Sequence, residues 1–141
     1  ASGVLLNHSE KKLNLDEIEQ SLKFAKQYNL KTVVCASDAN VGKAVSDLSP
    51  DYIAIEPPEL ISKNISVSQA KPQLIRTAVM EICNNSKCEN LLVGAGIHSR
   101  EDVLKSRILG ANGILVSSAV VKSKNPKKLL LELISALKQS I

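Results

Sequence analysis

Two side chains that can exchange protons stand at the ends of apolar runs in this chain. His8 follows the run around Val4 to Leu6, and Glu56 ends the run that begins at Tyr52. Two prolines follow Glu56, and because proline cannot continue a central strand, they fix the carboxylate at the strand end. Together a histidine and a glutamate form a usable acid/base pair. Taken singly, a histidine such as His8 is more often a surface or core side chain than a catalytic one, and Glu56 is equally compatible with a solvated acid at a strand end.

Small residues fill the turns at two other strand ends. The turns are Gly94-Ala95-Gly96-Ile97 and Ser117-Ser118-Ala119-Val120. Small side chains leave backbone N–H groups free to approach an anion, and a following helix adds positive potential. We therefore predict a phosphate site between these loops, although ordinary tight turns use the same residues.

The elements that must position these residues alternate along the whole chain. Short apolar runs and amphipathic helical segments follow one another, which is typical of an α/β fold. Near-continuous apolar runs predict parallel strands covered on both faces. The five predicted strands span residues 3–7, 32–36, 52–56, 90–94 and 113–117.

Capping residues and prolines mark the predicted helix starts. Asn14 with Glu17, Ser99 with Asp102, and the Asn125-Pro126 pair are start signals, as is a proline at a first helical position. That proline is Pro72, and a shorter helix is predicted between residues 41 and 48.

Five β/α units fit two architectures, a doubly wound sheet or part of a (β/α)8 barrel. The GxGxxG motif of the doubly wound alternative is absent after the first strand. In both architectures the functional side chains collect at the carboxyl ends of the strands, so the pattern of elements does not separate them.

Length and composition indicate one soluble domain over residues 1–141. The chain has 141 residues, 44% hydrophobic residues, a net charge of +4, no Trp, one Phe and two Tyr. The core must be aliphatic, no membrane span is indicated, and no basic, aromatic-interleaved stripe points to nucleic acid. Cysteines 35, 83 and 88 form no CxxC pair, so reduced thiols and a cytoplasmic location are expected.

Two motifs resemble those of the triose-phosphate isomerase family over the whole chain. Asn7-His8-Ser9-Glu10-Lys11-Lys12 is similar to the motif of strand four in that family, and Ala54-Ile55-Glu56-Pro57 to that of strand six. Glu56-Pro57-Pro58-Glu59-Leu60-Ile61, Cys35, Gly94-Ala95-Gly96-Ile97 and Ala119-Val120-Val121-Lys122 resemble the archaeal version. The resemblance implies a partial TIM (β/α)8 barrel whose five β/α units correspond to β4–α8, with β1–β3 absent.

The resemblance also implies the reaction and its residues. The family interconverts dihydroxyacetone phosphate and glyceraldehyde 3-phosphate through an enediolate, in glycolysis and gluconeogenesis, without metal or cofactor. His8 falls on the electrophile that polarises the carbonyl, and Glu56 on the base that moves the proton, as established for these isomerases. Residues 57–68 match a mobile loop that closes over the phosphate.

The remaining site residues are supplied by the same resemblance. Ile61 and Ser62 match phosphate contacts in the mobile loop, and Gly96, Ser117 and Ser118 match contacts made through backbone N–H groups. Glu10 and Cys35 match supporting residues, although an ion pair and a packed small side chain explain them as well. The loop tip Ser62-Lys63-Asn64 departs from the Gly-Thr-Gly common in the family, which predicts slower or different closure.

The absence of strands one to three is the largest departure. In the family, the first strand ends with an Asn and a Lys, and that Lys stabilises the anionic intermediate. An arc of five strands would expose two apolar edges. We therefore expect an inactive chain that needs an N-terminal barrel part, a second copy, or both, since the family forms homo-oligomers such as dimers or tetramers.

The residues are also compatible with two other functions. One is a non-catalytic phosphate-binding or assembly fragment that keeps the scaffold without the Lys. The other is a phosphate-binding barrel enzyme of the kind found in tryptophan or thiamine synthesis. The motifs around His8 and Glu56 argue against this alternative, because those families do not have such residues in these contexts.

Overall fold

The fold alternates strands and helices from end to end. The structure is a computed structural model that describes residues 1–61, 63–83 and 90–139. The strands are β1 (Gly3–Leu6), β2 (Lys31–Ala36), β3 (Tyr52–Ile55), β4 (Leu91–Val93) and β5 (Gly113–Ile114). The helices are α1 (Leu15–Gln27), α2 (Ala39–Ser46), α3 (Val67–Ala70), α4 (Pro72–Cys83), α5 (Arg100–Ile108), α6 (Ser118–Val121) and α7 (Pro126–Lys138), with a 3-10 turn at Pro58–Leu60.

The order of the strands decides between the two predicted architectures. All four strand pairs are parallel, and the order in the sheet is β1-β2-β3-β4-β5. In a doubly wound sheet, the order in which strands are added reverses at a switch point. In a barrel, each strand is added next to the previous one, always on the same side. The five strands therefore form an arc of a (β/α)8 barrel, which confirms the predicted fold class.

Local sequence signals account for the helix starts. The side chain of Asn14 accepts a hydrogen bond from the Glu17 amide while Glu17 reaches back to the Asn14 amide, so the predicted capping box is confirmed. Ser99 and Asp102 form a second box. Pro72 opens α4, and Asn125 caps α7. The short helices α3 and α6 and the 3-10 turn were not predicted, because four residues are too few for a periodic apolar pattern.

One face of the sheet carries the core. Val34 and Ile53 are register neighbours that pack with the surrounding helices, and both are almost completely buried. On the opposite face, Leu5 and Tyr52 are the register partners of Val33 on the two neighbouring strands. Their side chains are 47% and 37% exposed. The expectation that the strands are covered on both faces is therefore wrong for this part of the sheet, because helices pack on only one side of an arc.

The thiols differ in part from their predicted state. Among the described cysteines, Cys35 is free and buried, whereas Cys83 is disulfide-bonded. The expectation of reduced thiols is wrong for Cys83, since the lack of a CxxC pair does not exclude a disulfide between sulfurs that the fold brings together. Cys88 lies outside the described residues. None of the helices in the described parts of the chain is long and apolar enough to cross a membrane.

Candidate active site

A small cavity at the carboxyl ends of the strands brings most of the predicted site residues together. Its volume is about 200 Å³. The predicted residues in its wall are His8, Glu10, Glu56, Ile61, Gly96, Ser117 and Ser118. Cys35 lies behind Glu56, and Ser62 is outside the described residues. The cavity therefore joins the loops that follow β1, β3, β4 and β5.

His8 and Glu56 face each other across this cavity. The Nε2 atom of His8 lies 3.4 Å from the Oε2 atom of Glu56. The backbone N–H of Glu10 donates to Nδ1 of His8 over 3.4 Å, so a neutral imidazole carries its proton on Nε2, toward Glu56. The Glu10 carboxylate is 3.9 Å from Nδ1, but its side chain is 90% exposed and its attraction is screened by water. The arrangement provides a donor and a base at one point.

Asn7 positions the loop that carries His8. Its side-chain amide donates to the Cys35 carbonyl, and its Oδ1 accepts from the Leu13 amide, both over 2.9 Å. Its φ angle of 56° is left-handed, a conformation that asparagine tolerates better than most residues. Asn7 belongs to the strand-four motif, but the motif by itself predicts no role for it. An asparagine directly after an apolar strand was the available signal.

The surroundings of Glu56 raise the proton affinity of its carboxyl group. Burial raises the pKa of Glu56 above its ordinary value, while the nearby His8 and a hydrogen bond from the Ala95 backbone partly oppose this shift. A Cβ atom at Gly94 would lie 2.9 Å from Oε1 of Glu56, so a side chain at this position would push the carboxylate away from its place. A general base gains efficiency as its pKa approaches the working pH.

Cys35 supports the same carboxylate from inside the sheet. Its Sγ atom lies 4.0 Å from Oε2 of Glu56. Burial, followed by the charge of Glu56, raises the pKa of Cys35 to about 12. The group is therefore a neutral thiol at physiological pH, which can donate weakly to the carboxylate but cannot act as a nucleophile.

The loop after β4 presents backbone in an unusual conformation. Ala95 and Gly96 have φ angles of 70° and 69°. A Cβ atom at Gly96 would lie 2.0 Å from the Ile65 carbonyl oxygen, so the two backbones touch and a side chain is excluded. On the other side of the cavity, α6 begins at Ser118, and the first amides of a helix have no partner within it. Both loops can therefore offer N–H groups to an anion.

A buried carboxylate, Asp102, lies behind the loop, and the sequence predicts it only as part of a helix capping box. Asp102 is 4% exposed and accepts hydrogen bonds from the His98 and Ser99 amides and from the Gln69 side chain. Burial alone would raise the pKa of Asp102, but hydrogen bonds from Ser66, His98 and Ser99 hold it below its ordinary value. The cap therefore joins α5 to α3, a contact between distant segments that no local signal predicts.

Comparison with known proteins agrees with these motifs. The family model described as triosephosphate isomerase matches residues 1–137. The triosephosphate isomerases of Methanocaldococcus jannaschii and Saccharolobus solfataricus are each 46% identical to the chain, over 94% and 100% of its length. That of Methanobrevibacter smithii is 41% identical over 96% of the chain. The chain spans 60% to 62% of the lengths of these archaeal relatives.

Solved structures show the same fold at low identity. A thiamine phosphate pyrophosphorylase from Pyrococcus furiosus superposes with a TM-score of 0.70 and 18% identity, over 98% of this chain and 60% of its own. A mutant tryptophan synthase α-subunit from the same organism gives 0.68 and 23%, over 95% and 55%. Such similarity shows a partial TIM barrel and carries no function. The match of the family model and the three archaeal relatives, together with the motifs around His8 and Glu56, means that the chain belongs to the triosephosphate isomerase family.

Proposed function

We propose that this chain supplies the acid/base pair and the phosphate loops of a triose-phosphate isomerase. The observation that carries the proposal is the 3.4 Å approach of His8 to Glu56 in a cavity that the loops after β4 and β5 also line. The proposed substrates are dihydroxyacetone phosphate and D-glyceraldehyde 3-phosphate, and the reaction is an aldose-ketose isomerisation.

Glu56 is the proposed base. Its carboxylate would take a proton from the carbon next to the substrate carbonyl and return it to the neighbouring carbon, so no net proton is consumed. The raised pKa of Glu56 suits this task, because the same group must accept and release a proton near neutral pH.

His8 is the proposed electrophile. With its Nδ1 accepting from the Glu10 amide, the neutral ring directs Nε2–H into the cavity. That N–H would donate to the substrate carbonyl oxygen and stabilise the negative charge that forms there. These are the roles established for triose-phosphate isomerases.

The phosphate is proposed to bind between the two small-residue loops. Gly96, Ser117 and Ser118 line the cavity with backbone unhindered by large side chains. Ile61 lies in the same wall, and Ser62 remains a proposed contact. Hydrogen bonds from several backbone N–H groups would hold the phosphate away from the acid/base pair.

The 141 residues are proposed to act as one unit, the C-terminal part of a barrel. The chain spans about 60% of the length of its relatives. Strands one to three, of which the first ends with the Asn and Lys of the family, would therefore come from outside these 141 residues. Without them we expect an inactive chain. The alternative is a phosphate-binding or assembly fragment without catalysis, which the same incomplete coverage favours.

The setting of the reaction is proposed from the family. It places the protein in glycolysis and gluconeogenesis, in the cytoplasm where triose phosphates are metabolised, and in a homo-oligomer. The proposed location does not depend on the cysteines.

The first test is an isomerase assay on the polypeptide as its source makes it, with dihydroxyacetone phosphate as substrate. We expect turnover that Glu56→Gln and His8→Ala each reduce by about 10²-fold or more. Glu132→Gln is the matched control, since Glu132 is exposed on α7 and should change nothing. Phosphate binding without turnover would support the non-catalytic alternative instead.

The second test asks whether the chain needs a complement. The 141-residue chain is assayed alone and after mixing with the N-terminal part of an archaeal relative that carries strands one to three. Activity only in the mixture would support a barrel completed in trans. Full activity of the isolated chain as a monomer would overturn the proposed incompleteness.

A further inference from the structure

His98 lines the same cavity as the acid/base pair but contacts a different part of the chain. Its Nε2 atom lies 2.8 Å from the backbone carbonyl oxygen of Lys63. Because a carbonyl oxygen can only accept, Nε2 of His98 carries a proton in this contact. An imidazolium ring also carries that proton, so the hydrogen bond does not require the neutral form.

The backbone of His98 is itself held in place. The His98 amide donates to Oδ2 of the buried Asp102 over 3.1 Å. Oδ1 of the same carboxylate accepts from the Gln69 side chain over 2.7 Å. Residues 63–69, here called the 63–69 segment, are thus attached at Lys63 through the His98 ring and at Gln69 through Asp102.

The middle of the 63–69 segment rests on the loop proposed to bind phosphate. The Val67 amide donates to the Ala95 carbonyl over 3.1 Å. The Ile65 carbonyl lies so close to Gly96 that no Cβ atom could stand between them. A displacement of the 63–69 segment would therefore free the Gly96 backbone to move.

We propose that His98 is a positioning residue of this site, which holds the 63–69 segment against the Gly96 loop through the Lys63 carbonyl and so determines how tightly the cavity binds phosphate. The inference takes its phosphate ligand from the proposed function, whereas the contacts of His98 do not depend on that function. His98 touches no reacting atom in this scheme, so its effect falls on binding.

Three substitutions separate a hydrogen-bonding role from a general structural one. His98→Ala removes the ring. His98→Gln places an amide donor near the position of Nε2, whereas the shorter His98→Asn does not reach it. We expect His98→Ala and His98→Asn to weaken binding of inorganic phosphate and to raise KM by about three- to tenfold, with kcat within about twofold. His98→Gln should restore most of the loss.

Hydrogen exchange supplies a readout that needs no activity. In His98→Ala, the Val67 amide should exchange several-fold faster than in the original protein, and His98→Gln should reverse this change. Lys63→Ala is the matched control, since it keeps the carbonyl that His98 contacts and should leave Val67 protection unchanged. All variants are made in the polypeptide as its source produces it, and thermal unfolding establishes that each is folded.

The outcomes distinguish this inference from the proposed function. Absence of isomerase activity both in the original protein and in its mixture with the N-terminal part of an archaeal relative overturns the proposed function, while exchange and phosphate binding still test His98. Unchanged Val67 exchange and phosphate affinity in His98→Ala would overturn the inference, as would failure of His98→Gln to rescue either quantity. A fall in kcat at constant KM would make His98 a catalytic residue and would also overturn it.

Discussion

The Nε2 atom of His8 lies 3.4 Å from the Oε2 atom of Glu56, and a hydrogen bond from the Glu10 amide turns the proton of a neutral His8 ring toward that carboxylate. The two residues follow different strands, β1 and β3, that are separated in the sheet by β2. Their meeting results from the parallel arrangement, which brings the carboxyl ends of all the strands to one edge.

Replacing Glu56 by Gln should make the protein more stable near neutral pH. Because the pKa of Glu56 in the fold is raised above 4.5, ionisation of this group opposes folding. The stability that the protonated form contributes is complete below about pH 4.5 and is lost as pH rises through the folded pKa. The variant should therefore match the original protein in acid and exceed it near neutral pH, in urea unfolding measured across pH 4 to 8.

The control for this prediction is Glu10→Gln, at an exposed carboxylate close to the same histidine. It should leave the free energy of unfolding nearly unchanged at every pH, because an exposed charge is already solvated. A Glu56→Gln variant less stable than the original protein at pH 8 would show that the ionised carboxylate stabilises the fold.

Replacing Asn7 by Ala should cost about 3 kcal/mol of stability and also lower turnover. Two hydrogen bonds at about 1 kcal/mol each are lost, and a left-handed alanine costs about 1 kcal/mol more. The His8 loop would then no longer be fixed to the Cys35 carbonyl. Chemical denaturation and the isomerase assay measure the two effects.

Asn29→Ala is the matched control for the backbone part of this loss. Asn29 has a φ angle of 54° but is exposed, so only the conformational cost of about 1 kcal/mol should appear, without a change in turnover. Equal losses in the two variants would mean that the Asn7 side chain contributes nothing through its hydrogen bonds.

The elements that a local sequence pattern encodes could be predicted from the sequence. The apolar runs predicted all five strands, and the capping boxes at Asn14 and Ser99 predicted the starts of α1 and α5. The contacts of His98 with Lys63 and of Asp102 with Gln69 could not be predicted, because they join residues far apart in the chain. The open face around Leu5 was missed for a related reason, since an apolar run looks the same whether one or both of its faces are covered.

Replacing Gly96 by Ala should disrupt the phosphate loop. The new Cβ atom would overlap the Ile65 carbonyl oxygen, and its φ angle of 69° adds strain, for a total loss of about 1 to 3 kcal/mol. Phosphate affinity should fall with stability, because the loop must move to relieve the overlap. Calorimetric titration with inorganic phosphate and thermal unfolding provide the measurements.

Ala95→Gly tests, at the neighbouring position, how much of the lost stability comes from the positive φ angle. Ala95 already has a positive φ angle, so glycine should be neutral or stabilising there. If Gly96→Ala were as stable as the original protein and bound phosphate equally well, the close contact with Ile65 would have no influence on the site.

Replacing Asp102 by Asn should loosen the connection between α3 and α5 and cost about 2 kcal/mol, since hydrogen bonds to a buried charged group are lost or weakened. The folded pKa of Asp102 lies below 3.8, so its ionised form stabilises the fold fully above about pH 3.8, and this contribution is lost as pH falls through the folded pKa. The difference in free energy of unfolding between the variant and the original protein should accordingly be constant near neutral pH and shrink in acid.

Urea unfolding at pH 7 and at pH 3 measures this difference. The control is Glu101→Gln, which is exposed on the same helical turn and should change little. If Asp102→Asn were as stable as this control at pH 7, the charge of the buried carboxylate would contribute nothing to the attachment of the 63–69 segment.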